Sequence, residues 1–251
     1  MKIFEKFEIV DNYPALYLKE INALIISDLH LGLEALMAES GLYMPKFQLE
    51  EMKNDLEELS EKRDFEKLMV CGDIKHEFSE TSYQEKVEVE EFLEFSQKLA
   101  KDIYLVKGNH DNYLIYPVKK YENVELEESF VFDGVNFIHG DKKVESINGP
   151  DVEYIVMGHE HAALSLTDEV GAREKIRCFL YGEMRNGKKL IVMPAFSRLA
   201  EGSQLNQVRK KDLLSPVLKD MITVGEMKAI GIDKEAGLFK FPEIKKIRSL
   251  E

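Results

Sequence analysis

The sequence predicts an α/β fold, and three observations carry that expectation. Short apolar runs rich in β-branched and aromatic residues recur along the chain, amphipathic helical stripes lie between the early ones, and an Asn-Gly pair joins two of the later ones. The runs are Ala23–Ser27, Leu68–Cys71, Ile103–Val106, Val135–Ile138, Tyr154–Met157 and Leu190–Met193. Each has the length and the nearly continuous hydrophobicity of a strand buried on both faces. Between the first two, Leu49, Met52, Leu56 and Leu59 fall at spacings of three and four on a charged background, which is one face of a helix. A second helix is expected from about residue 82 to 99, with Ser82 and Glu85 placed as a capping box.

Strands alternating with helices require right-handed crossovers and a largely parallel sheet, whose ligands gather beyond the carboxyl ends of the strands. The second half reads differently. Arg185, Asn186, Gly187 and Lys188 separate Cys178–Tyr181 from Leu190–Met193, a hairpin signal that predicts antiparallel pairing. Residues 201–211 are polar, a loop or short helix. Residues 222–247 can add one or two edge strands, with Lys245, Lys246 and Arg248 forming a solvated face.

At 251 residues and 44% hydrophobic content the chain can bury a sizeable core as one domain. No apolar stretch approaches the roughly 20 residues that span a bilayer, and the first residues lack the apolar block of a secretion signal. The expectation is a cytoplasmic protein with no membrane partner. Cys71 and Cys178 lie in hydrophobic segments and read as buried, reduced thiols. A formal charge of −13 argues against a broad basic surface for long nucleic acid, although it leaves room for a local basic cleft.

Five of the six histidines sit in motifs that each follow an apolar run. The motifs are Asp28-Leu29-His30, Gly72-Asp73, Gly108-Asn109-His110-Asp111, His139-Gly140-Asp141 and Gly158-His159-Glu160-His161. In extended backbone the i, i+2 spacing of Asp28 and His30, and of His159 and His161, directs both side chains to one side while Leu29 and Glu160 point elsewhere. Oxygen and imidazole donors at several strand ends describe a two-metal hydrolytic site, and no thiolates accompany them as in a structural zinc site. Taken singly, Asp-x-His and Gly-Asp are ordinary turns, and Gly-Asn-His-Asp fits an Asx turn.

Together, and in this order, the motifs over residues 22–196 resemble the calcineurin-like metallophosphoesterase superfamily. That resemblance implies a β-sandwich flanked by helices, a four-layer αββα arrangement without a separate capping domain. Residues 1–251 would form one such domain, with the signature motifs at 28–161 and edge strands from about 175 to 250. It further implies that Asp28, His30, Asp73 and His161 bind one divalent ion and that Asp73, Asn109, His139 and His159 bind the other. Asp73 is then the bridge. Manganese is the expected metal, with iron, zinc and nickel also suited to these donors. A water activated between the ions would attack phosphorus, so no covalent nucleophile is needed.

His110 matches a family histidine outside the ligand set, which orients phosphate and protonates the leaving oxygen or stabilises its charge. Asp111 either orients His110, acts in an outer shell or serves only the turn. Gly140 is expected to let the backbone approach the metals. Many protein phosphatases of the superfamily read Gly-Asp-x-x-Asp-Arg, whereas this chain has His76 and Glu77 at the last two positions. The chain is instead similar to the SbcD-type nuclease branch, and more closely to small archaeal SbcD-related phosphoesterases. In that branch the histidine matching His76 helps place the scissile phosphate; the other reading is a wall residue. Little more than about 50 residues follow residue 196, too few for the usual DNA-guiding cap and partner-docking segment.

The leading expectation is a phosphodiesterase, nuclease-like, acting on short or single-stranded nucleic acid. A phosphomonoesterase or nucleotide phosphodiesterase on small molecules is the second reading, and a non-catalytic, metal-bound scaffold the third. A homodimer is expected by analogy with the nuclease branch.

Overall fold

The computed structural model describes residues 1–43, 45–78, 82–167, 171–200 and 202–248. The first half builds one sheet. Strands β1 (Lys2–Ile3), β2 (Phe7–Ile9), β3 (Leu16–Leu18) and β4 (Ala23–Ile26) pair antiparallel in sequence order. From β4 the chain crosses through α1 (Leu33–Glu39) and α2 (Gln48–Lys62) to β5 (Lys67–Val70). It then crosses through α3 (Tyr83–Ser96) to β6 (Asp102–Val106) and through α4 (Ile115–Val118) to β7 (Val124–Glu127). Strands β4 to β7 are parallel neighbours, as βαβ crossovers require.

The second sheet takes β8 (Ser129–Phe132), β9 (Val135–Ile138), β10 (Tyr154–Met157), β11 (Ala163–Thr167), β12 (Arg173–Glu183) and β13 (Lys189–Val192). After α5 (Pro216–Asp220) come β14 (Lys228–Asp233), β15 (Gly237–Glu243) and α6 (Ile244–Arg248). Its spatial order is β15-β14-β12-β13-β10-β9-β8, with β11 paired to β12. The Asn-Gly hairpin joins β12 to β13 in antiparallel register, as expected. Around it the sheet is mixed, because β9, β10 and β13 run parallel.

Residue parity divides the core into layers. Leu24 and Ile26 on β4, with Leu68 and Val70 on β5, face outward onto Met52, Leu56 and Leu59 of α2 and Val89, Phe92 and Leu93 of α3. The alternate residues Ile25 and Met69 face the second sheet and meet Phe137, Val156, Phe179 and Ile191 there. On that sheet Ile155, Leu180 and Val192 turn outward onto Val217 and Leu218 of α5 and Ile244 of α6. Helices, sheet, sheet and helices give the four-layer αββα arrangement.

Both helical expectations hold, although α3 ends at Ser96, short of the expected 99. Leu49, Met52, Leu56 and Leu59 are all buried. Glu85 N donates to Ser82 Oγ (3.2 Å) and Ser82 N donates back to Glu85 Oε2 (3.1 Å), the capping box. Residues 202–211 are turns ending in a short 3-10 segment, while Glu201 lies outside the described residues. In the tail β15 is the edge strand and β14 is interior. Lys245 and Lys246 are exposed beside Glu243, and the side chain of Arg248 lies outside the described residues. Cys71 and Cys178 are buried free thiols. Among the described residues no helix is long and apolar enough to cross a membrane.

Candidate metal centre

The parallel strands of both sheets end at one place. Asp28 and His30 follow β4, Asp73 follows β5, and Asn109 with His110 follows β6; His139 follows β9, and His159 with His161 follows β10. Adjacent turns lock to each other by backbone hydrogen bonds: Asp28 N to Gly72 O (3.0 Å), His30 N to Asp73 O (2.9 Å) and Gly158 N to His139 O (3.0 Å).

The i, i+2 pairs converge for a different reason from the one the spacing suggested. Asp28, His30, Asp73, His159 and His161 all have positive φ, between 46° and 66°, so their backbone is left-handed and not extended. A side chain in that region costs energy for any residue but glycine, and it persists where surrounding bonds over-determine it. The intervening residues do point elsewhere. Leu29 is in the core, and Glu160 accepts from the amides of Leu214 (3.0 Å) and Ser215 (2.9 Å).

Tight approach explains the neighbouring glycines. A Cβ on Gly72 would collide with the His139 ring, and one on Gly108 with the Asp73 carboxylate. At Gly140 the backbone and a neighbouring side chain both favour glycine. Its φ of +111° and the sulfur of Met157, 3.0 Å from where a Cβ would stand, account for it.

Two ligand groups result. Asp28, His30, Asp73 and His161 offer atoms within 4.8 Å of one another, as do Asp73, His139 and His159, and Asp73 belongs to both. Asn109 joins the second group through Oδ1, 3.0 Å from His139 Nε2. Donors held at about 2.0–2.2 Å from one ion lie roughly 3–3.5 Å from each other. The observed separations match: His30 Nε2 to His161 Nε2 is 3.0 Å, His161 Nε2 to Asp28 Oδ1 is 3.5 Å, His159 Nδ1 to His139 Nε2 is 3.0 Å and His139 Nε2 to Asp73 Oδ2 is 3.3 Å. Imidazole nitrogens and carboxylate oxygens facing inward at this spacing suit divalent cations.

The electrostatics agree. Burial first, and the neighbouring His161, lower His30 to about 3 against the pull of Asp73 and Asp28. Burial first, and His139, lower His159 to about 4. Both are therefore neutral and able to coordinate. Burial opposes charge on His139, but Asp73 and Asp28 outweigh it and push it up to about 9, so a cation binding at Nε2 would have to displace a proton there. Burial likewise opposes charge on Asp28 and Asp73, and the surrounding histidines overcome it, so both carboxyls lie below the usual range.

A third cluster, His30, His76 and His110, adjoins the first. His76 Nδ1 is 3.2 Å from His30 Nδ1, and the backbone amides of His76 (3.1 Å) and Glu77 (2.5 Å) donate to Glu85 Oε1. The capping residue of α3 thus also fastens the His76 turn. His110 N donates to Asp73 Oδ1 (3.1 Å), and its Nδ1 bonds the carbonyl of His76. Asp111 is a loop fastener: Oδ1 accepts from the amides of Ile74 (2.9 Å) and Lys75 (3.2 Å), and Oδ2 from Gly108 (2.8 Å). Burial first, then Asp73, raises its carboxyl to about 7. Phe78, which belongs to none of the sequence motifs, lies against His110 with ring centroids 3.7 Å apart.

Comparison with known proteins accords with this geometry. The structure is similar to that of nuclease MPE from Pseudomonas putida, with a TM-score of 0.59 and 17% identity over 91% of each chain. A Vps29 structure from Entamoeba histolytica fits more loosely, at a TM-score of 0.36 and 13% identity over 88% of this chain and 91% of the other. No curated protein sequence matches the chain. Residues 21–149, half of the chain, match the calcineurin-like phosphoesterase family. With that match and the inward-facing donors, the chain belongs to the calcineurin-like phosphoesterase family and is a metal-dependent phosphoesterase.

Proposed function

We propose that the protein is a dinuclear phosphodiesterase of the SbcD-related kind, acting on short or single-stranded nucleic acid as one domain over residues 1–251. The observation that supports it most is the pair of ligand groups sharing Asp73. Asp28, His30, Asp73 and His161 would hold one ion and Asp73, Asn109, His139 and His159 the other, with manganese as the first choice for this mixed oxygen and nitrogen set. When bound, two such ions supply positive charge for phosphoryl oxygens and a water of lowered pKa.

The protein's own groups set the proton positions. The Cys71 carbonyl, 3.1 Å from His139 Nδ1, needs a donor, so the proton sits on Nδ1 and Nε2 is left as ligand. If His30 ligates through Nε2, its Nδ1 carries the proton and donates to His76 Nδ1. His76 then keeps its own proton on Nε2, a donor for a phosphate oxygen. Burial and the adjacent His110 lower its pKa and hold the ring neutral. His110 donates Nδ1–H to the His76 carbonyl, leaving Nε2 as the exchangeable position from which the leaving oxygen can be protonated. Asp111 contributes by holding the Gly108 turn against the Ile74 turn, not by touching substrate. The buried thiols Cys71 and Cys178 favour a cytoplasmic setting.

The test is hydrolysis of bis-p-nitrophenyl phosphate, its monoester, and labelled single- and double-stranded DNA by manganese-loaded protein. Cleavage of the diester and of single strands is expected. Hydrolysis of the monoester alone would refute the reading.

A further inference from the structure

We propose that Phe78 and Tyr113, with Tyr116, form a stacking platform for unpaired nucleobases beside the metal centre. The inference rests on the phosphodiesterase reading above and narrows its substrate to single-stranded nucleic acid with bases next to the scissile phosphate.

Two of the ligand-bearing turns of the first sheet run directly into exposed aromatic side chains. The turn after β5 leads to Phe78, 55% exposed, and the turn after β6 leads to Tyr113, 51% exposed, and Tyr116, 66% exposed. Exposed aromatic rings offer large apolar faces to a ligand where they flank a reactive centre. The two segments are tied together, since Asn112 Nδ2 donates to the Phe78 carbonyl (3.0 Å). Phe78 also packs on His110, so this surface begins where the leaving group is expected.

Tyr113 carries a second sign. Its φ is +67°, a left-handed conformation that costs a bulky residue energy, and its half-exposed ring recovers little of that by burial. Its ring lies nearly parallel to that of Tyr116, at 11° with centroids 6.3 Å apart. Parallel aromatic faces are what a run of bases stacks on. With a net −13 the protein has little to gain from phosphate neutralisation across its surface, whereas stacking is sequence-tolerant and independent of net charge. Bases in a duplex already stack on each other, so the platform selects unpaired ones.

The experiment compares KM for a short single-stranded oligonucleotide with KM for the same backbone carrying abasic sites, in the wild type, Phe78→Leu, Phe78→Ala and Tyr113→Asn. Phe78→Leu keeps apolar packing against His110 without the aromatic face, and Asn tolerates the left-handed backbone at residue 113. In the wild type the abasic strand should show a KM about 5- to 150-fold higher per base stacked. In the variants that gap should close, with metal content retained. Equal KM for both strands in the wild type would overturn the platform, as would a gap that survives in all three variants. A concentration-dependent mass that Phe78→Ala abolishes, with no gap, would make the patch a contact between copies and also overturn it. If bis-p-nitrophenyl phosphate and both strands resist cleavage, the underlying phosphodiesterase reading fails and takes the platform with it.

Discussion

Asp73 belongs to both ligand groups, and its Oδ1 also accepts the backbone amide of His110. Asp73→Ala should therefore release both metals and abolish turnover, losing more than the roughly 10- to 100-fold that removing an outer-shell partner costs in metal affinity. Elemental analysis of the purified variant checks this. His110→Ala should behave differently, keeping both ions while turnover falls about 100- to 10,000-fold. Loss of metal from that variant would contradict the assignment. Gly108→Ala tests the close approach. An added methyl collides with the Asp73 carboxylate, so metal content and activity should fall together although no donor is removed.

At the level of elements, much of the fold was legible, because buried strands and amphipathic helices write periodic patterns. The six expected strands agree with β4, β5, β6, β9, β10 and β13 to within a residue at each end. The capping box at Ser82 and Glu85 appears bond for bond. Strands β1, β2 and β3 were not legible, because two or three residues are too few to show alternation and each depends on pairing with the next, up to β4. The ligand residues were legible by type and order, yet their backbone was not. Extended geometry would deliver Asp28 and His30 side by side as well as the left-handed turn does, so spacing alone cannot tell them apart. Glu85 joins the helix to the site. Ser82→Ala should cost about 1 kcal/mol, read as a shift in denaturant midpoint. Glu85→Ala should cost more and lower activity as well, since it also frees the amides of His76 and Glu77.

Across the whole molecule, each ligand group draws on both sheets: Asp28, His30, Asp73 and Asn109 from the first, His139, His159 and His161 from the second. Bound metal then stabilises the native state alone. Free ion at 100 times its Kd should add about 2.7 kcal/mol, and chelation should lower Tm by roughly 2–4 °C for each kcal/mol lost. An unchanged Tm after complete metal removal would show that the ions do not bridge the halves. The shared ownership of the donors also has a consequence for biogenesis. Since neither half of the chain can complete a coordination shell before the other has docked, ion capture would come after the sandwich closes. A ribosome-bound N-terminal half would then be inert, unable to hydrolyse phosphoesters until the second sheet, whose strands β11 to β15 follow His161, has been made.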